Sequence, residues 1–543
     1  MKGFNGLPMV FLALLFAGST IAHPQRRCVK SNSTTPTVDL GYEIHQGSVN
    51  STGDYYVFSN IPYAQQPIGD LRFRKPVPIT KKSSKVNAGA QDVECYQAYP
   101  EWVLQQATSE AAVVETVQTE SCLVLDVYVP TDIFKKGKFA HAPVLVWIHG
   151  GGYTLGSKTS SGNPAGLLAR SKAGGKEGLI VVTINYRLGM FGWLGGDDVT
   201  PNLGLYDQRF ALEWVQRYIS RFGGGPHRVT VMGQSAGASS IVHQITAYGG
   251  AKPVPFQAAI TQSTAWQFNI DTAPPYQSTL NTASKLTGTP VTDIATLRTL
   301  NSSVLASVNQ AVVYPAITGE FNFGPAPDGD FVPKLAQVLF YEGKFAHDVN
   351  LLISHVSNES VPFTSPDIQT STDFNTRVSG AFPGASNATI NTLLTEIYPD
   401  VLDGSHPWET EFARAVQLTT DAFFSCTTTF MAAAKGNATH NYLFEYPPGY
   451  HGEDVAYVFF NGDTTTLDDG LPVNAELATA LQDYIVAFAY TGDPNTPALP
   501  EFPEYGDKST VLKFSELGIT TQVDDEKNIR CAWWQQAIVD GLV

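Results

Sequence analysis

Val229-Thr230-Val231-Met232-Gly233-Gln234-Ser235-Ala236-Gly237-Ala238-Ser239-Ser240-Ile241-Val242 decides how the rest of the chain is read. Four β-prone residues run into a glycine-flanked turn, and small and apolar residues follow that can start a helix. Strand, tight turn and helix in succession make half of a βαβ unit. Inside the turn, Gly233 to Gly237 spells G-x-S-x-G. Its glycines permit a sharp bend that projects the Ser235 hydroxyl, and the helix amino terminus lies beneath any negative charge that develops there. A bare pentapeptide of this kind is an ordinary glycine turn; between a strand and a helix it marks Ser235 as a nucleophile.

Working outward, short apolar runs bounded by turn residues recur at 143–148, 179–184, 349–353 and 442–444, and read as buried central strands. Between strands, 206–221 carries a helical apolar face through Phe210, Leu212, Trp214, Val215 and Ile219. Strands alternating with helices predict an α/β protein with a large, mostly parallel sheet covered on both faces, its functional residues at the carboxyl ends of the strands. The 143–148 run ends in His149-Gly150-Gly151-Gly152-Tyr153, where three side-chain-free residues let backbone N–H groups approach a substrate oxygen. His243 falls eight residues into the helix after Ser235, points away from the turn and reads as structural.

The chain has 543 residues, 34 Lys and Arg against 50 Asp and Glu, and a formal charge of -16. No basic run exceeds Arg26-Arg27, which disfavours a nucleic-acid partner. With 43% hydrophobic and only 15% charged residues, a disordered or coiled-coil protein is excluded. Lys2, the apolar stretch 9–17 and Thr20-Ile21-Ala22 form a secretory signal over 1–22; it is too short for a membrane span, and no other segment is long and apolar enough. Secretion fits the Asn-x-Ser/Thr sequons at Asn32, Asn50, Asn301, Asn358, Asn387 and Asn437. Of Cys28, Cys95, Cys122, Cys426 and Cys531, an even subset is expected to pair, but spacing alone does not assign the partners, and no pair has the spacing of a zinc site. Length alone suggests several domains of ~150 residues.

Taken together the motifs resemble the type-B carboxylesterase/lipase family, the cholinesterase-like branch of the α/β-hydrolases, and especially its secreted fungal members. Besides the two glycine motifs, the likeness rests on Phe58-Ser59-Asn60-Ile61-Pro62-Tyr63-Ala64 with Gly69, Arg72, Phe73 and Pro76, and on Glu120-Ser121-Cys122-Leu123-Val124-Leu125-Asp126-Val127. Asn185-Tyr186-Arg187-Leu188-Gly189 and Asn202-Leu203-Gly204-Leu205-Tyr206-Asp207-Gln208 complete it. Ser121 and Asp126 depart from the commoner Asp and Asn. The resemblance implies an α/β-hydrolase fold and a Ser, Glu, His triad in chain order. Ser235 would be nucleophile, Glu359 the acid after the 349–353 strand, and His451 the base after the 442–444 strand. Ser360 stands where a glycine is usual, and His355 is an unusual neighbour. It further implies oxyanion donors from Gly151, Gly152 and Ala236, a second-shell Ser263, disulfides Cys95–Cys122 and Cys426–Cys531, and no metal or organic cofactor. Cys28 is then odd, and the Asn358 sequon, beside the acid, is expected to be unused. Since the site residues span 149–451, one catalytic domain over 23–543 replaces the several suggested by length.

The expected activity is hydrolysis of soluble carboxylic esters. Gln234 replaces the glutamate of the choline esterases, and Trp102 comes too early in the 95–122 loop to match their cation-binding ring, so a quaternary ammonium substrate is disfavoured. That loop is shorter than the lids of long-chain fungal lipases, although 111–114 is apolar enough to border a mouth. A lipase acting on triacylglycerols or sterol esters is the runner-up. An acyltransferase shares the chemistry, and an adhesion module of the same fold is the alternative from another class.

Overall fold

The run 229–232 lies inside a longer strand that is the central member of an eleven-stranded sheet among the described residues. These residues of the computed structural model are 35–106, 117–266, 271–462, 467–468 and 471–543. The expected signal, Arg26-Arg27, Cys28, Asn32 and the 111–114 stretch lie outside them. In chain order the strands are β1 (Ser48–Asn50), β2 (Tyr55–Pro62), β3 (Val124–Pro130), β4 (Ala142–Ile148), β5 (Ile180–Ile184) and β6 (Gly224–Gln234). There follow β7 (Ala258–Gln262), β8 (Asn350–Val356), β9 (His440–Phe444), β10 (Thr510–Ser515) and β11 (Gly518–Val523). Across the sheet the order is β11-β10-β9-β8-β7-β6-β4-β5-β3-β2-β1. From β10 to β5 every pairing is parallel, whereas β3, β2 and β1 at one edge and β11 at the other pair antiparallel. This is the expected α/β-hydrolase architecture.

Alternation along the strands explains the two faces. In β4, Val144, Val146 and Ile148 join one core, and Leu145 and Trp147 join the other. The first core takes Leu205, Leu212 and Val215 from helix α2 (Leu203–Tyr218) and Ile241, Val242 and Ile245 from α3 (Ala236–Thr246). The second takes Leu167 and Leu168 from α1 (Ala165–Lys172) and Leu477, Leu481 and Ile485 from α7 (Ala475–Thr491). A third cluster joins α4 (Glu411–Thr420), α5 (Cys426–Ala434) and α8 (Ile529–Val539), where Cys426 is bonded to Cys531. Cys95 is bonded to Cys122. Short α6 (Glu453–Val458) follows His451. No helix among the described residues is long and apolar enough to cross a membrane.

The sequence motifs that carried the family likeness are buried polar joints between these elements. Arg187, just past β5, donates from Nε and Nη2 to the two carboxylate oxygens of Asp207 on α2, each at 2.7 Å, with both side chains almost wholly buried. The neighbouring Tyr186 hydroxyl donates to the His149 carbonyl at 2.8 Å, fixing the glycine loop. Asp126 accepts from the Asn60 N–H at 2.7 Å and pairs with the buried Lys158 at 3.1 Å, so the substituted carboxylate has a counter-charge. Arg72 clasps Glu120 through Nε and Nη2.

Breaking one half of the Arg187–Asp207 pair leaves a charge stranded in the core, a situation that destabilises by about 3 to 5 kcal/mol. Asp207→Leu should therefore lower the urea midpoint of unfolding sharply, and Arg187→Met combined with Asp207→Leu should recover a large part of that loss. A double variant no better than the single one would show that geometry rather than charge is what the pair contributes.

Candidate active site

Ser235 sits where β6 turns into α3, with φ 57° and ψ -126°. Such a conformation is strained for a residue with a side chain, and close packing on both sides holds it. A Cβ on Gly237 would come within 2.1 Å of the Ile148 carbonyl oxygen, and one on Gly233 within 2.8 Å of both that oxygen and the Gly237 backbone. The glycines are there because α3 abuts the end of β4 directly. Ser235 donates its N–H to the Gln262 carbonyl at 2.9 Å, and its own carbonyl accepts from the Ser239 N–H at 3.0 Å.

Glu359 and His451 reach this turn from the next strands. Past β8 and β9 the two loops are zipped together: Ser357 N–H donates to Phe444, and Asn358 N–H to Gly449 at 2.8 Å. The Asn358 side-chain amide donates to the Pro448 carbonyl at 2.7 Å. Glu359 is fully buried and accepts from the Val356 N–H at 2.9 Å on Oε1 and lies 2.6 Å from His451 Nδ1 through Oε2. Ser360 fits because its hydroxyl donates to the Val416 carbonyl at 2.6 Å. His355 is buried facing Asp524 at 3.8 Å, away from this pair. The His451 ring packs against both Phe363 and Phe424, which stack on each other. Its Nε2 meets the Gln234 side-chain nitrogen at 3.0 Å, and no hydrogen bond joins it to Ser235 among the described residues.

Gly150, Gly151 and Gly152 line one pocket with Ser235 and His451, walled by Trp102, Val103, Leu155, Phe321, Phe363 and Val455. The Gly151 carbonyl accepts from Thr154 and Leu155, each at 3.1 Å, and Gln97 anchors the loop by accepting from the Gly156 N–H at 2.6 Å. Ala236 opens α3, so its N–H has no intrahelical partner. A second chamber shares Gly152, Ser235, Phe321 and Phe363, and adds Trp266, Phe423, Phe424, Glu320 and Arg377. Trp102, discounted from its position in the loop, is nonetheless in the pocket wall, edge-on to Phe321 and Phe363. No carboxylate lines the first chamber among the described residues.

Ser263 follows β7 at φ 47°, donates its N–H to Ser354, and its buried hydroxyl has no partner among the described residues. His243 is buried beside Trp266, and desolvation pushes it down to about 4, as it does His149. Both imidazoles are neutral and structural. Sequence reading overlooked Asp454, on α6. It is completely buried, and its Oδ2 accepts from the Tyr442 hydroxyl and the Gln262 amide, each at 2.7 Å. Burial pushes its carboxyl up to about 6, against those two hydrogen bonds. Only its place three residues after His451 could have drawn attention to it.

The model of the carboxylesterase family matches residues 40–534. Carboxylesterase patB of Aspergillus clavatus is 40% identical over 92% of this chain and 96% of its own length, and carboxylesterase patB of Penicillium expansum 37% identical with the same coverage. Lipase 2 of Geotrichum candidum is 29% identical over 86% of this chain and 89% of its own. Among solved structures, EstA of Aspergillus niger superposes with a TM-score of 0.79 at 24% identity, covering 94% of this chain and all of that one. A thermophilic pNB esterase gives 0.74 at 25% identity, covering 93% and 100%.

The raised Asp454 carboxyl binds its proton more tightly in the folded chain than in the unfolded one. Its contribution to stability is therefore full below about pH 4, falls as pH rises towards about 6, and stays low above. A gap of about two units corresponds to roughly 3 kcal/mol at most. Asp454→Asn cannot titrate. Urea midpoints measured from pH 4 to 7 should decline less in that variant than in wild type, and parallel declines would assign the proton elsewhere.

Proposed function

The chain belongs to the carboxylesterase family and acts on esters, and from that premise we propose that it cleaves them through an acyl-enzyme on Ser235, with His451 as base and Glu359 as its orienting acid. The 2.6 Å contact between Glu359 Oε2 and His451 Nδ1, beside a serine on a strained turn in the same pocket, carries the reading. The contact keeps a proton on Nδ1, so Nε2 carries the lone pair that accepts the serine proton in the reaction. As the Ser235 oxygen bonds to the ester carbon, that proton passes to Nε2 and then to the departing alcohol. The N–H groups of Gly151, Gly152 and Ala236 hold the tetrahedral oxyanion, each worth roughly 3 to 4 kcal/mol in comparable sites. Water, deprotonated by His451, then releases the acid and restores the serine.

The two chambers that meet at Ser235 suit the two sides of an ester, one for the acyl chain and one for the alcohol. Their walls are mainly apolar, which favours uncharged soluble esters. The likeness to fungal lipases keeps a preference for long acyl chains as a second reading. The 1–22 segment as a cleaved signal makes the product extracellular, in keeping with similarity to a secreted lipase of Arthroderma benhamiae, 30% identical over 78% of this chain.

Hydrolysis of p-nitrophenyl esters from acetate to palmitate should peak at short chains in the secreted protein and fall by at least about a thousandfold in Ser235→Ala. A peak at palmitate would move the assignment to lipase, and full activity in the variant would end the triad reading. Glycopeptide mapping should find sugar at Asn301 and Asn387 and none at Asn358, which is exposed as they are but whose amide is engaged with Pro448. Sugar on Asn358 would mean that the two loops open in solution.

A further inference from the structure

Gln234 occupies the position just before the nucleophile, at the end of β6, and is nearly buried. Its carboxamide does two things at once. The nitrogen lies 3.0 Å from His451 Nε2, and the oxygen lies so near the glycine loop that a Cβ on Gly150 would come within 2.9 Å of it. With the Nδ1 proton held by Glu359, Nε2 of a neutral imidazole offers a single in-plane lone pair. The amide must present its N–H to that lone pair, because the opposite orientation would set oxygen against it. Ser235 needs the same lone pair, which among the described residues is met by the Gln234 amide and not by the serine hydroxyl.

We propose that Gln234 is a positioning residue that caps the general base in the empty enzyme: its amide N–H occupies His451 Nε2 until an ester enters beside the glycine loop and displaces it, whereupon Ser235 takes the vacated lone pair. This rests on the triad reading above. A carboxylate at position 234 would act in the opposite sense, since it accepts a hydrogen bond and favours the imidazolium, whereas the neutral amide donates and favours the neutral ring. The same residue therefore holds the base ready and keeps the serine idle without substrate. The other ionisable groups around His451 are Glu359 from the loop after β8 and Glu453 and Asp454 from α6, with Phe363 and Phe424 against its ring. They are common to every variant compared.

The test is the second-order rate at which an alkyl fluorophosphonate labels Ser235 at pH 7. In that reaction the serine oxygen bonds to phosphorus, its proton passes to His451 and fluoride leaves. Freeing the lone pair in Gln234→Met should raise the rate by about threefold to tenfold, the worth of one amide hydrogen bond. An unchanged or lower rate in a folded variant, with Ser235→Ala unlabelled, overturns the cap and leaves the triad standing. Labelling or hydrolysis that survives Ser235→Ala overturns the triad itself. If Gln234→Met does not fold, isosteric Gln234→Glu decides. Contact with Nε2 requires the acid limb of its kcat/KM profile to move up by about one pH unit, and an unmoved limb overturns the proposal.

Discussion

The close approach of Gly237 to the Ile148 carbonyl is the constraint on which the site depends. It lets α3 start against the end of β4, and that start forces Ser235 into a backbone conformation costing about 1 to 3 kcal/mol. The strain persists because β6 is paired on both sides, to β4 and to β7, so the turn has no freedom to relax into a wider loop. Parallel register then does the rest. Gln234 is level with Gln262, Gln262 with Ser354, and His355 with Leu443, so the chain leaves successive strands at one edge of the sheet. Residues 359 and 451 meet because their strands are neighbours, and the hydrogen bonds between their loops close the remaining gap.

Glu359 and Asp454 both lie near the His451 imidazole, and hydrogen-bond donors are placed differently around them. Both oxygens of Glu359 have a partner, a backbone N–H on one and the His451 ring on the other. Asp454 has two donors crowded on Oδ2 and none on Oδ1, so burial prevails and raises it. Where the donors are placed thus sets the two carboxyls apart: one has a partner on each oxygen beside the imidazole, and the other, farther back, is raised by burial to about 6.

Much of this was legible before any coordinates. The five apolar runs, the helix after β5 and the glycine turns lie where local pattern is strong, and the structure shifts only their ends: β6 begins at Gly224 rather than 229, β8 spans Asn350–Val356 rather than 349–353, and α2 spans Leu203–Tyr218 rather than 206–221. The strand β7 escaped because two alanines and a glutamine flank its only β-branched pair, Ile260 and Thr261, and it owes its state to two neighbouring strands. In β3 the carboxylate of Asp126 breaks the apolar pattern, and only Lys158 and the Asn60 N–H, distant in sequence, make its burial tolerable. Glu359 and His451 were readable through the motif order of a family. The Gln234 to His451 contact was not, since an identity at position 234 carries no information on where its amide points.

Trp102 shows why substrate chemistry resists reading from position in a loop. It lies early in the Cys95–Cys122 segment, yet the short helix Glu101–Gln106 carries it into the pocket wall against Phe321 and Phe363, which come from distant parts of the chain. Its indole N–H is tied to the Glu320 carbonyl at 3.0 Å, so the ring is fixed edge-on to its aromatic neighbours. The case against a quaternary ammonium substrate thus shifts from the position of a tryptophan to the charge of the chamber. With glutamine at 234 and no carboxylate among the described lining residues, a permanent cation entering the first chamber would meet rings, amides and hydroxyls but no counter-charge. Ring contacts hold a desolvated quaternary ammonium by about 2 kcal/mol each, so what this chamber lacks is the added attraction of a carboxylate. A neutral ester loses little by the same transfer and gains the apolar wall.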